Sequence, residues 1–120
     1  MTNKYTISVL GGDGTGPEVV EQAVKVLSST QKKYNIDLNF IHNNIGGERY
    51  LETGNLTTEE DLEEFSQSDA MLLGALGHPD VKPGILELGV LLTLRKRFDQ
   101  YVNLRPVMLY PGVETPVVDK

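Results

Sequence analysis

Glu87, Leu91 and Arg95 recur at i, i+4 and i+8, the spacing that sets side chains along one face of a helix. An acid, an apolar group and a guanidinium on one face could read an alkyl group beside a carboxylate. Arg105 follows in an alternating segment, on the face it shares with Tyr101 and Asn103, and Pro106 comes directly after it. Two arginines at the ends of adjacent elements can converge on one carboxylate, which their planar forks bind bidentately. A plainer account also fits the charge pattern. Arg95, Lys96 and Arg97 would then be the basic end of a helix, facing water and favoured by the helix dipole. Arg105 resists that account, because it sits inside an otherwise apolar strand pattern.

A second candidate is the glycine run Gly12-Asp13-Gly14-Thr15-Gly16, which follows a strand pattern and opens a helix. Dinucleotide folds cradle a pyrophosphate at such a turn. The details argue against the Rossmann version. Counted from Gly12, the third glycine of that fingerprint falls on Pro17, and Asp13 would put a negative charge near the pyrophosphate. His42-Asn43-Asn44 occupies the end of the second strand, where an acid should hold the ribose, and Asp37 lies at the other end. A tight turn with packing duties alone is the competing account. Elsewhere the chemistry is thin. His42 and His78 are far apart, and Glu59 to Glu64 reads as a solvated helix face. Asp13, Asp61 and Asp69 lack a metal-ligand spacing, and no nucleophile stands paired with a base.

The elements that must position these residues alternate between strand and helix. Tyr5, Ile7 and Val9 face one way and Thr6, Ser8 and Leu10 the other, which is a strand. Pro17 and Glu18 suit a first helical turn, and Val20, Ala23, Val24 and Leu27 carry the helix on to about Tyr34. Ile36, Leu38 and Phe40 make a second strand, and the glycine-bearing stretch from Asn43 to Asn55 reads as a connection with room for a short helix. Thr57 and Glu60 suit a capping box before an acidic helix carrying Leu62 and Phe65. Ala70-Met71-Leu72-Leu73 reads as a strand covered on both faces. After a loop from His78 to Gly84, a helix weakened by Gly89 is expected from Ile85 to about Gln100, then a strand from Tyr101 to Val107. Tyr110 to Lys120 shows no periodicity.

Such alternation means an α/β protein with a mostly parallel sheet and flanking helices. Residues 1–120 form one unit without an internal boundary. Few helices are available to cover both sheet faces, so the unit is expected to be the incomplete front part of a longer protein. Composition narrows the partners. The chain has 120 residues, 39% apolar and 23% charged, with a formal charge of −6 that disfavours nucleic acid. No cysteine is present, which excludes disulfides and thiolate chemistry. Apolar runs fall far short of the roughly 20 residues that span a bilayer, and no signal segment opens the chain, so a cytoplasmic protein without membrane partners is expected.

Several segments together resemble one family. They are Gly12-Asp13-Gly14-Thr15-Gly16-Pro17-Glu18-Val19, Leu72-Leu73-Gly74-Ala75-Leu76-Gly77, Gly89-Val90-Leu91-Leu92-Thr93-Leu94-Arg95-Lys96, Asn103-Leu104-Arg105-Pro106 and Pro111-Gly112. In this order and spacing they resemble the metal-dependent β-decarboxylating 2-hydroxyacid dehydrogenases, the isocitrate/isopropylmalate dehydrogenase family. The resemblance covers nearly the whole chain and favours the binding account of Arg95 over the solvated one.

It implies a nicotinamide-dependent fold that is not a Rossmann fold, in a protein that works as a homodimer. Arg95 and Arg105 would bind the malate carboxylates, and Leu91 and Leu92 would line the pocket for an isopropyl group. Thr15, Ala75, Leu76, Gly77 and His78 would border the NAD cofactor, with Glu87 at its nicotinamide end. Thr15 departs from the apolar residue common in the family. Catalytic residues, the loop that chooses between NAD and NADP, and the ligands of Mg2+ or Mn2+ are expected beyond residue 120. The implied reaction is NAD-dependent oxidative decarboxylation of a 2-hydroxy dicarboxylic acid, with 3-isopropylmalate, of leucine biosynthesis, as the substrate. Isocitrate is disfavoured, since its extra carboxylate would lie unpaired against leucine. Tartrate or D-malate is the alternative substrate. A non-catalytic fragment that binds a small dicarboxylate or a partner subunit is the alternative of a different class.

Overall fold

β1, Lys4–Gly12, is the middle strand of a three-stranded sheet in which β2, Asp37–Asn43, and β3, Ala70–Ala75, lie to either side. All pairings are parallel, with Val9 opposite both His42 and Leu72 and Leu10 opposite both Asn43 and Leu73. A middle strand of a parallel sheet has no solvent face, and Ser8, Val9 and Leu10 are accordingly buried. The computed structural model describes residues 3–116. The last four residues of the aperiodic stretch that begins at Tyr110 lie outside them.

Parallel neighbours need crossovers. The first is α1, Gly16–Tyr34, which starts with Pro17 in its first turn and ends where Asn35 takes a left-handed φ of 51°. The second holds α2, Gly47–Thr53, and α3, Glu59–Ser66. α1 packs against the sheet through buried Val20, while Leu10, Ile45, Leu62, Phe65, Val90 and Leu94 form the main core. Burying a side chain of the size of Leu or Phe contributes about 2–3 kcal/mol.

The capping box of α3 lies one residue later than expected. Thr58 Oγ1 accepts the Asp61 amide, and the Asp61 carboxylate accepts the Thr58 amide at 2.7 Å. Thr58 is the N-cap residue, and the Thr57 hydroxyl is aimed elsewhere, donating to the Gly89 carbonyl at 2.9 Å. Asp61 also takes both terminal nitrogens of Arg49, at 3.0 and 2.7 Å, which ties α2 to α3.

The helix after β3 covers residues 85–97, but it is not regular. A π-helical turn at Glu87–Leu92 runs into α4, Thr93–Arg97. The expected strand from Tyr101 to Val107 is absent. A strand requires a neighbour for its amides and carbonyls, and none pairs with this segment among the described residues. The segment lies exposed, Leu104 at 84% and Val107 at 91%. The radius of gyration is accordingly 17.0 Å, against roughly 14 Å for a compact domain of this length.

Candidate active site

The carboxyl ends of β1, β2 and β3 lie side by side, where ligands bind in open parallel sheets. Asp13 holds the three following loops together. It is only 6% exposed, its Oδ1 accepts the Gly47 amide at 2.7 Å, and its Oδ2 accepts the Gly77 amide at 3.1 Å. Its own amide donates to the Ala75 carbonyl at 2.7 Å. The adjacent glycines are steric necessities. A methyl on Gly46 would stand 2.6 Å from Asp13 Oδ1, and one on Gly47 would overlap His78. The Asp13 carboxylate therefore points inward and is spent on backbone amides. Sequence reasoning missed this role. The available signal was an acid inside a glycine run with a Gly46-Gly47 pair downstream.

The residues expected to border a cofactor gather at this edge. Thr15 occupies the N-cap of α1, is exposed, and makes no side-chain capping bond. Gly77 is exposed, and open space stands where its Cβ would be. Leu76 is half-buried against the main core, so it serves packing as well as the rim. His78 Nδ1 accepts the Asp80 amide at 3.2 Å, so the neutral ring carries its proton on Nε2. A cleft of about 200 Å³ lies between Gly77, His78, Lys82, Leu86 and Glu87. That is below the roughly 300 Å³ at which pockets enclose a drug-sized ligand, so it suits one ring and not a whole dinucleotide. Glu87 closes one side, its Oε2 accepting the Gly84 amide at 2.9 Å.

Leu91 is half-buried, and Leu92 and Arg95 are exposed on the same helix. Among the described residues, no side-chain hydrogen bond or ion pair engages Arg95. Arg105 stands apart from it. Its Nε donates to Asn103 Oδ1 at 3.4 Å, and among the described residues no hydrogen bond or ion pair joins it to the helix. The convergence of two arginines on one carboxylate is thus not formed within these residues. Among them, no three His, Asp or Glu side chains gather in a way that could hold a metal ion. Among the described residues, no helix is long and apolar enough to cross a membrane.

The family described as isocitrate/isopropylmalate dehydrogenase matches residues 6–120. The chain belongs to that family. Among its relatives, the 3-isopropylmalate dehydrogenase of Beutenbergia cavernae is 47% identical over 117 residues, 98% of this chain and 34% of the relative. That of Thermobifida fusca is 48% identical over 111 residues, 92% of this chain and 31% of the relative. The chain therefore spans about a third of the length of the curated relatives it matches. The crystal structure of an apo β-decarboxylating dehydrogenase from Thermococcus kodakarensis superposes with a TM-score of 0.63 at 38% identity, covering 81% of this chain and 27% of that one. The α/β fold with its parallel sheet is thus the fold of this dehydrogenase family.

Proposed function

We propose that the whole protein is a NAD-dependent dehydrogenase that oxidises and decarboxylates a 2-hydroxy dicarboxylic acid, and that the acid is 3-isopropylmalate. One observation carries the reading: a helix that borders the cleft presents an apolar residue, Leu91, between the acid Glu87 and the cation Arg95, which is unpaired among the described residues. Relatives named 3-isopropylmalate dehydrogenase, at 47 and 48% identity, support it.

In this reading Arg95 and Arg105 bind the malate carboxylates, and Leu91 and Leu92 accept the isopropyl group. Their planar forks orient the carboxylates, so the alkyl branch falls one helical turn away on leucine. Thr15, Ala75, Leu76, Gly77 and His78 border the NAD, and Glu87 flanks its nicotinamide end. The ring-sized cleft and the bare backbone at Gly77 fit such a guest. When bound, NAD supplies the hydride acceptor for the oxidation. The described side chains do not fit a Mg2+ or Mn2+ site, so the roles of this chain are binding and orientation. We assign the active form to a homodimer.

The test is kcat/KM of the full-length protein with NAD and a divalent cation, on 3-isopropylmalate, D-malate, tartrate and isocitrate. A clear preference for 3-isopropylmalate is expected. A preference for tartrate or D-malate overturns the substrate, and turnover of none overturns the reaction.

A further inference from the structure

Arg95 reaches the face of Glu87 only because the helix between them is irregular. An α-helical residue turns the chain by about 100°, so eight regular steps would leave Arg95 about 80° off the line of Glu87. The π-helical turn at Glu87–Leu92 takes in one extra residue without adding rotation. Eight steps then turn the helix as about seven would, and Arg95 comes within about 20° of Glu87. Leu86, Val90 and Leu94 are 2%, 0% and 4% exposed, so another face of the same segment is buried.

Identifiable contacts hold the turn. The turn ends at Thr93, whose amide donates to the Val90 carbonyl three residues back, the tighter 3₁₀ pattern. The Gly89 carbonyl accepts Thr57 Oγ1 at 2.9 Å, and Thr93 Oγ1 donates to the Leu88 carbonyl at 3.2 Å. A methyl on Gly89 would overlap Leu56, so glycine lets the segment before α3 approach the turn.

We infer that Thr57 and Gly89 are positioning residues, whose π turn sets the register of Arg95 and the leucines against Glu87 and so fixes how far the carboxylate and alkyl branch of the substrate lie from the cofactor end. This rests on the proposed binding roles of Glu87, Leu91, Leu92 and Arg95.

The full-length protein provides an asymmetric test. Leu88 is 62% exposed and its side chain lies outside the main core, so deleting it removes a residue of the turn without emptying the core. Deleting it lets the helix close to a regular α-helix with Arg95 still in line, and KM for 3-isopropylmalate is expected to stay within about threefold. Inserting one alanine after Leu88 demands a second bulge or turns Arg95 by about 100°, so kcat/KM is expected to fall at least a hundredfold. Thr57→Val is expected to raise that KM about tenfold with little change in kcat, Thr57→Ser to stay within twofold, and Thr57→Val to add nothing once Leu88 is deleted. A deletion as damaging as the insertion overturns the inference, as does a Thr57→Val enzyme with unchanged KM. The crystal structure of the deletion variant reads the register without any activity: Arg95 displaced from Glu87 overturns the inference. Absence of turnover in the unaltered protein would instead count against the proposed reaction alone.

Discussion

Asp13 Oδ2 accepts the Gly77 amide at 3.1 Å across 64 residues of sequence, so a single buried carboxylate sets the floor of the candidate cofactor edge. Its other oxygen takes Gly47, and the loops after β1, β2 and β3 are thereby tied together. Asp13→Asn replaces one acceptor with a donor that faces a backbone N–H. A buried charge-assisted bond of this kind is worth about 1.5–3 kcal/mol. The full-length variant is expected to lose about 2 kcal/mol by urea unfolding and to bind NAD more weakly. Gly46→Ala, which drives a methyl against the same carboxylate, is expected to act alike. Unchanged stability and unchanged NAD affinity would remove Asp13 from this role.

Arg95 and Arg105 differ from each other in context, yet the proposed clamp needs the planar fork of both. Arg95→Lys and Arg105→Lys keep the charge and lose the fork, so kcat/KM for the hydroxy acid is expected to fall by at least tenfold. Efficiencies within about twofold, roughly 0.4 kcal/mol, would show that neither residue clamps a carboxylate.

Leu91 decides selectivity. Burying an isopropyl group removes about 80 Å² of apolar surface from water, worth about 2 kcal/mol. That predicts a preference for 3-isopropylmalate of roughly thirtyfold over unbranched malate. Leu91→Ala is expected to erode the preference by weakening the branched substrate and leaving D-malate nearly unchanged. Equal losses on both substrates, together with lost stability, would mean that Leu91 only packs.

Acid should loosen the join between α2 and α3. Burial pushes the Asp61 carboxyl up, but the Arg49 guanidinium and the Thr58 amide and hydroxyl outweigh it and hold the pKa below its ordinary value. A carboxyl lowered in the folded state contributes stability that is complete above its unfolded value and is lost as pH falls through the folded one. Stability is therefore expected to be flat near neutral pH and to drop below about pH 4, with Asp61→Asn removing part of that drop. A double-mutant cycle of Arg49→Met and Asp61→Asn at pH 7 is expected to give a coupling on the order of 1 kcal/mol. Zero coupling, or an acid limb that Asp61→Asn leaves untouched, would contradict the assignment.

Local order was legible from residue order alone. Alternation through Tyr5, Ile7 and Val9 marks β1, Pro17 and Glu18 mark the start of α1, and the run from Ala70 marks β3, because these depend on near neighbours along the chain. Family membership was legible too, since it rests on ordered motifs. Distant partners decided the rest. Thr57 reads as a cap, yet the box is formed by Thr58, and the Thr57 hydroxyl donates to Gly89 across 32 residues. Asp13 reads as a charge near a ligand until the Gly47 and Gly77 amides turn it inward. Tyr101 to Val107 alternates like a strand, yet alternation supplies no neighbour for its amides, and the segment lies unpaired among the described residues. The i, i+4, i+8 spacing of Glu87, Leu91 and Arg95 does name one face, but for a reason absent from the pattern. A regular helix would have spread those eight steps by about 80°. The packing of Leu56 and Thr57 on Gly89, with Val90 and Leu94 held in the main core, sets the π turn that lines them up.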